Sequence, residues 1–197
     1  MRAFTFENAT KIYFGGGCVK EHLLEAVKPY GETVMLAYGG GSIKTNGIYQ
    51  EVMDVLKLAG KQVIEFSGIM PNPTYSKVME GKKVVQENQV DLILAVGGGS
   101  VMDCSKAISM AAATDKDVWE EYWIKKGEID FEPVPVGVIV TVVGTGSEVN
   151  GEGVITHEEQ KIKTSRNYPR CNPVFAMMDP KYTYTVSPLQ TAAGGFD

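Results

Sequence analysis

Two rhythms of apolar and polar residues alternate along this chain. Short runs of aliphatic and β-branched residues give way to stretches in which apolar positions recur every three or four residues. Residues 33–38 and 91–96 are such runs and predict strands, and each leads directly into Gly-Gly-Gly-Ser, at 39–42 and again at 97–100. After the first glycine loop, Ile48, Val52, Val55, Leu56 and Ala59 share a helical face, with Gly60 placed to close the helix. After the second, a helix is predicted over 101–112. The remaining pattern predicts a strand over 10–14 ending in a Gly15-Gly16-Gly17 turn, a helix over 20–27 and a strand over 62–66. It then predicts a helix opened by Pro71-Asn72-Pro73, with Pro73 in its first turn and Tyr75, Val78, Met79 and Val85 on one face, ending by Asn88. Residues 135–141 are apolar on both faces, as in the middle of a covered parallel sheet, and run into a third glycine loop, Gly144-Thr145-Gly146-Ser147-Glu148. Short strands follow over 154–156, 161–165 and 174–178. Strand and helix in alternation predict an α/β fold, a Rossmann-like parallel sheet with helices on both faces.

Glycine loops after strands carry a specific chemistry. Without Cβ atoms the backbone can approach an anion closely, and the following helix turns its free N–H groups and positive dipole end toward it. At the carboxyl edge of one parallel sheet the three loops would form a composite dinucleotide site. The Gly-Lys-Ser/Thr pairing of nucleoside triphosphatases is missing. In dinucleotide folds an acid near a strand end receives the ribose 2′-hydroxyl of the unphosphorylated cofactor. The first loop offers none; it presents Gly39, Gly40, Gly41, Ser42 and Lys44 instead, which favours NADP(H) over NAD(H).

Composition narrows the rest. With 19 Lys and Arg against 24 Asp and Glu, the net charge of −5 leaves no basic excess for a nucleic-acid backbone. The longest apolar stretch, near 134–143, is too short to span a bilayer and the first residues lack a signal-peptide core, so the cytosol is the expected compartment. Cys18, Cys104 and Cys171 are scattered, with no histidine at ligand spacing, and read as reduced thiols.

Several motifs in order carry a resemblance. They are Tyr38-Gly-Gly-Gly-Ser-Ile-Lys44, Pro71-Asn-Pro73, Ala95-Val-Gly-Gly-Gly-Ser-Val-Met-Asp103, Gly144-Thr-Gly-Ser-Glu148, Asp179-Pro180 with Tyr182-Thr-Tyr184, and Thr191-Ala-Ala-Gly-Gly-Phe-Asp197. The chain resembles the N-terminal, nucleotide-binding part of the iron-containing (group III) alcohol dehydrogenases, especially their butanol dehydrogenase-like branch. That resemblance implies hydride exchange between a nicotinamide cofactor and a small primary alcohol or aldehyde. It implies that Gly97, Gly98, Gly99 and Ser100 receive the pyrophosphate and that Asn72 and Asp103 lie beside the adenosine and nicotinamide portions. Thr141, Thr145, Ser147, Asn150, Lys163 and Tyr182 would line the cofactor and the approach to the nicotinamide, and Asp197 would be the first ligand of a catalytic divalent metal, iron or zinc.

The family pattern continues into a helical second domain bearing three histidine ligands. Here His22 and His157 match none of them. Residues 1–187 are therefore expected to form the dinucleotide domain and 188–197, opened by Ser187-Pro188, the start of the first helix of a truncated metal domain. The isolated chain is expected to be inactive and to self-associate, as a homo-oligomer or through apolar surface near Val186, Leu189 and Phe196. Two alternatives stand beside this reading: another member of the glycerol dehydrogenase and dehydroquinate synthase superfamily, or a nucleotide-binding module without catalysis.

Overall fold

A computed structural model describes residues 8–196. Six parallel strands form one sheet: β1 (Lys11–Phe14), β2 (Thr33–Tyr38), β3 (Gln62–Phe66), β4 (Leu92–Gly97), β5 (Val136–Val140) and β8 (Phe175–Met178). They lie side by side in the order β1-β8-β5-β4-β2-β3. Every residue of β4 and β5 is buried, as their two-sided apolar pattern requires of central strands. Alternate residues of β2 point to opposite faces. Val34, Leu36 and Tyr38 enter one core with α1 (Cys18–Val27) and α3 (Ile48–Leu58), while Met35 and Ala37 enter a second with α4 (Tyr75–Glu87) and α5 (Gly99–Ala112). Each fully buried aliphatic side chain contributes about 1.5–3 kcal/mol relative to exposure, so the two cores hold the sheet rigid beneath its loops.

Strand order decides where a ligand can enter. From β2 the chain steps outward to β3, then returns across β2 to β4 and continues to β5 on the other side. The crossovers diverge between β2 and β4, and a crevice opens at the carboxyl ends of those strands. Gly39 follows β2 and Gly97 ends β4, and β2 pairs Tyr38 with Val96 while β4 pairs Gly97 with Val140. Three successive strands in the sheet thus deliver the three glycine loops at one level.

Some elements depart from the expected pattern. The segments expected as strands over 154–156 and 161–165 do not join the parallel sheet. As β6 (Glu152–His157) and β7 (Ile162–Asn167) they pair antiparallel in a separate hairpin. The turn joining them is far too short for the crossover that parallel pairing needs. The hairpin packs on α5, where Ile155 enters the core and Trp123 donates its indole N–H to the Gly153 carbonyl. Pro73 lies outside α4, because Thr74 is the residue whose side chain caps it, accepting from the Lys77 amide at 3.3 Å. One turn of wide helix at Trp119–Ile124, closed by a bond from the Lys125 amide to the Glu120 carbonyl, was not legible as helix, and it buries Trp119, Tyr122 and Trp123.

α2 (Ser42–Thr45) is a single turn following the first glycine loop. α6 (Pro188–Phe196) has Ser187 as its cap, whose hydroxyl accepts from the Gln190 amide. It buries none of its residues; Leu189 is 80% and Phe196 94% exposed.

Candidate functional site

The second loop lies beside both of the others. A Cβ built on Gly39 would lie 3.9 Å from the Val101 side chain, and one on Gly99 would lie 2.7 Å from that of Thr145. The glycines therefore serve different ends. A Cβ on Gly97 would collide at 2.5 Å with Val101 of its own following helix, so Gly97 is small because α5 turns back on it, and Gly99 because Thr145 of the third loop presses on it. Gly98 would meet Val142 at 3.1 Å, whereas Gly40 and Gly41 face open space, with no protein atom within 4 Å. Gly41 also holds φ at 99°, a left-handed conformation natural to glycine. The 14-residue α5 starts at Gly99, two residues earlier than its apolar spacing predicts, so the Gly99 and Ser100 amides that open it lie at the crevice, while those of Val101 and Met102 bond the Gly98 carbonyl.

The first loop opens on a cavity of about 300 Å³ lined by Tyr38, Gly39, Gly40, Gly41, Lys44, Ser67 and Gly68. Contrary to the expectation that no acid stands here, Glu65 near the end of β3 reaches Lys44, with its Oε2 3.0 Å from Nζ. The Tyr38 hydroxyl donates to the same oxygen at 2.5 Å and the Tyr49 hydroxyl donates to Oε1 at 2.7 Å. These bonds from Tyr38, Tyr49 and Lys44 pull the Glu65 carboxyl down to about 2, and the Tyr38 hydroxyl together with Glu65 holds Lys44 above the ordinary lysine range. The acid was missed because it comes from the adjacent strand. The usable signal was its place near the end of the second strand of the unit, about 20 residues beyond the loop, where such folds carry their ribose-binding acid.

The second and third loops are joined from below by a residue the sequence pattern did not single out. Lys106 on α5 is 2% exposed. Its Nζ donates to the Ser147 hydroxyl at 2.8 Å, the Ser147 and Asn150 carbonyls at 3.1 Å each, and Asn150 Oδ1 at 3.3 Å. Asp103, one turn earlier on α5, accepts from the Ser147 hydroxyl at 2.5 Å and from the Val154 amide at 3.1 Å, with its Oδ1 3.7 Å from the ammonium. Burial pushes Lys106 down to about 8 against the opposing pull of Asp103, and burial raises Asp103. Asp103, Ser147 and Asn150 are thus brought together around Lys106. A lysine three residues after Asp103 on an otherwise apolar helix face was the available clue.

The other predicted residues distribute as follows. Thr141 follows β5 and its amide donates to the Gly97 carbonyl at 3.0 Å, lacing the third loop to the second. Asn72 adopts φ 55° and accepts from Lys163 Nζ at 2.6 Å, so these two are partners although 91 residues apart. Ser42 opens α2 and Ser100 lies in the first turn of α5. Tyr182 is not brought to the loops. It is 4% exposed in the core shared by α1 and α3, and its hydroxyl donates to Glu51 at 2.7 Å; burial, then Glu51, raises its pKa.

No group of three or more His, Cys, Asp or Glu able to hold a metal occurs among the described residues, and Asp197 lies outside them. His22 stacks on Tyr13, and His157 stacks on Tyr75 beside Trp119. The three thiols are buried, Cys104 and Cys171 pushed by burial up to about 12, and so are poor metal ligands at neutral pH. The described residues do not by themselves fit a catalytic metal. Among them no helix is long and apolar enough to cross a membrane.

Residues 9–180 match the family model described as iron-containing alcohol dehydrogenase. The whole chain is 44% identical to the probable NADH-dependent butanol dehydrogenase 1 of Bacillus subtilis and covers 50% of that protein. It is 39% identical to the NADPH-dependent aldehyde reductase YqhD of Escherichia coli, again over 100% of this chain and 50% of the relative. In three dimensions it superposes on the crystal structure of NADH-dependent butanol dehydrogenase A from Thermotoga maritima with a TM-score of 0.92 at 38% identity, covering 100% of this chain and 49% of the other. The chain therefore spans about half the length of the relatives it matches.

Proposed function

The chain belongs to the iron-containing alcohol dehydrogenase family, and from that premise we propose that it is the cofactor-binding part of an NAD(P)-dependent enzyme interconverting primary alcohols and aldehydes. One observation carries the reading: three glycine loops gathered at the carboxyl edge of a parallel sheet, at its switch point, the second loop beside both others and leading into α5. The pyrophosphate would lie against Gly98, Gly99 and Ser100, where the Gly99 and Ser100 amides open α5. The adenosine ribose would face Gly39, Gly40, Gly41 and Ser42, and the nicotinamide would approach Thr141, Thr145 and the Asp103–Ser147–Asn150 group. When bound, the dinucleotide supplies or accepts the hydride. This chain's residues bind and orient it: Lys106 fixes the third loop, and Lys163 holds Asn72 in its left-handed conformation.

Both cofactors are accepted, with NADP(H) preferred through Lys44 to a degree that Glu65 limits. The catalytic metal, iron or zinc, belongs to the longer parent protein together with its substrate, and no step is assigned to a metal on the described residues. The protein acts in the cytosol without a membrane or nucleic-acid partner.

Fluorescence titration of the 197-residue chain with NADPH and NADH tests the reading. Saturable binding of both is expected, and a folded chain that binds neither would refute it.

A further inference from the structure

The exposed ion pair beside the first glycine loop does not serve the sheet. Lys44 and Glu65 have side chains 46% and 41% exposed, so their pairing adds little to stability. Its geometry is nevertheless specified at unusual cost in side-chain order. The Lys44 ammonium lies 4.5 Å from the Tyr49 ring centroid and 5.3 Å from that of Tyr38, while both tyrosine hydroxyls bond the carboxylate that faces it. Two aromatic rings and a carboxylate thus hold one ammonium at the rim of the cavity, and Lys44 is the only charged residue among those lining it.

We infer that Glu65 is a specificity-determining residue, a counter-charge with which the 2′-phosphate of NADP(H) must share Lys44 and whose repulsion NAD(H) does not meet. The inference rests on the reading that the adenosine ribose faces this loop. Three observations combine. The cavity holds one cation. That cation already has an anionic partner at 3.0 Å. The partner accepts from two hydroxyls, which keep it ionised at neutral pH. An incoming phosphate gains attraction to Lys44 and meets repulsion from Glu65 at similar range. A ribose 2′-hydroxyl carries no charge to be repelled, and it can donate to the Glu65 carboxylate. The preference between the cofactors is therefore a balance of two side chains, and removing either one should tip it in a predictable direction.

The test is a set of NADPH and NADH titrations on wild-type chain, Glu65→Gln and Lys44→Ala, at low and at high salt. Glu65→Gln keeps the size of the side chain and should tighten NADPH by roughly three- to tenfold at low salt while leaving NADH unchanged or weaker. Lys44→Ala should shift the ratio the opposite way, and both shifts should shrink in 0.5 M salt, where the screening length falls to about 4 Å. Both positions are exposed, so folding is expected to survive, and the urea midpoint of each variant is the control. A Glu65→Gln ratio equal to wild type, with both cofactors still bound, would overturn the inference and leave the binding-site reading standing. Wild-type protein that binds neither cofactor would remove both.

Discussion

The ammonium of Lys106 lies 2.8 Å from the hydroxyl of Ser147, and through it the helix that begins at the second glycine loop grips the third. Replacing Lys106 with Met would leave the Ser147 and Asn150 carbonyls and the Asp103 carboxylate short of their buried partner. Breaking a buried charged contact from one side costs about 3–5 kcal/mol. Lys106→Met should lower the urea midpoint accordingly and weaken both NADPH and NADH. A variant within about 1 kcal/mol of wild type, with unchanged cofactor affinity, would show that the grip is incidental.

The same lysine gives the fold a pH signature. Burial holds its folded pKa at about 8, below the value of about 10.4 for an unfolded lysine. Between those values the unfolded chain binds more protons, so this group's contribution rises with pH across the window; below pH 8 the cost of burying the ammonium is present in full. The stability difference between wild type and Lys106→Met should grow in favour of wild type from about pH 8 to 10, by an amount of the order of 2–3 kcal/mol. Urea titrations at half-unit steps would read it, and a flat difference would place the folded pKa elsewhere.

Glycine substitutions should separate ligand approach from packing. A Cβ on Gly40 meets no protein atom within 4 Å, so Gly40→Val should leave the urea midpoint nearly unchanged while weakening cofactor binding about tenfold or more. Gly97→Ala puts a methyl 2.5 Å from Val101 and should destabilise the fold by about 1–3 kcal/mol. Gly98→Val mixes the two effects because Val142 lies 3.1 Å away. Undiminished affinity in a folded Gly40→Val protein would take the first loop out of the site.

Apolar surface near the carboxyl edge should drive self-association. Phe14 is 75%, Leu189 80% and Phe196 94% exposed, so three large apolar side chains are left uncovered. Sedimentation at rising concentration is expected to show species heavier than a monomer, and Leu189→Glu should shift them toward the monomer. A monodisperse monomer at high concentration would contradict this.

No metal-dependent turnover is expected from these 197 residues, since the described ones gather no three-ligand group. Zinc or ferrous iron added with NADPH and butanal should leave the nicotinamide absorbance constant, and should leave the melting temperature within about 1 °C because nothing binds the ion tightly. Steady oxidation of NADPH on metal addition would require a catalytic site other than the one described.

Local chemistry made the main frame readable from the sequence. A strand declares itself in four to six successive residues, an adjoining glycine run in three or four, and a helix face in recurring apolar positions, as at Ile48, Val52 and Leu56. Those signals sufficed for a parallel sheet with three glycine loops at its carboxyl edge, because each depends only on neighbours along the chain. What remained hidden depends on which segments meet. Glu65 faces Lys44 because β3 lies beside β2; Lys106 reaches Ser147 and Asn150 because α5 lies under the loop after β5. β6 and β7 form their own hairpin because their connection is short, and Tyr182 turns to Glu51 because the core behind α3 has room for its ring. A side chain's partner, and with it its charge state, is chosen by packing across the sheet at distances in sequence of 21 to 131 residues, where no local pattern extends.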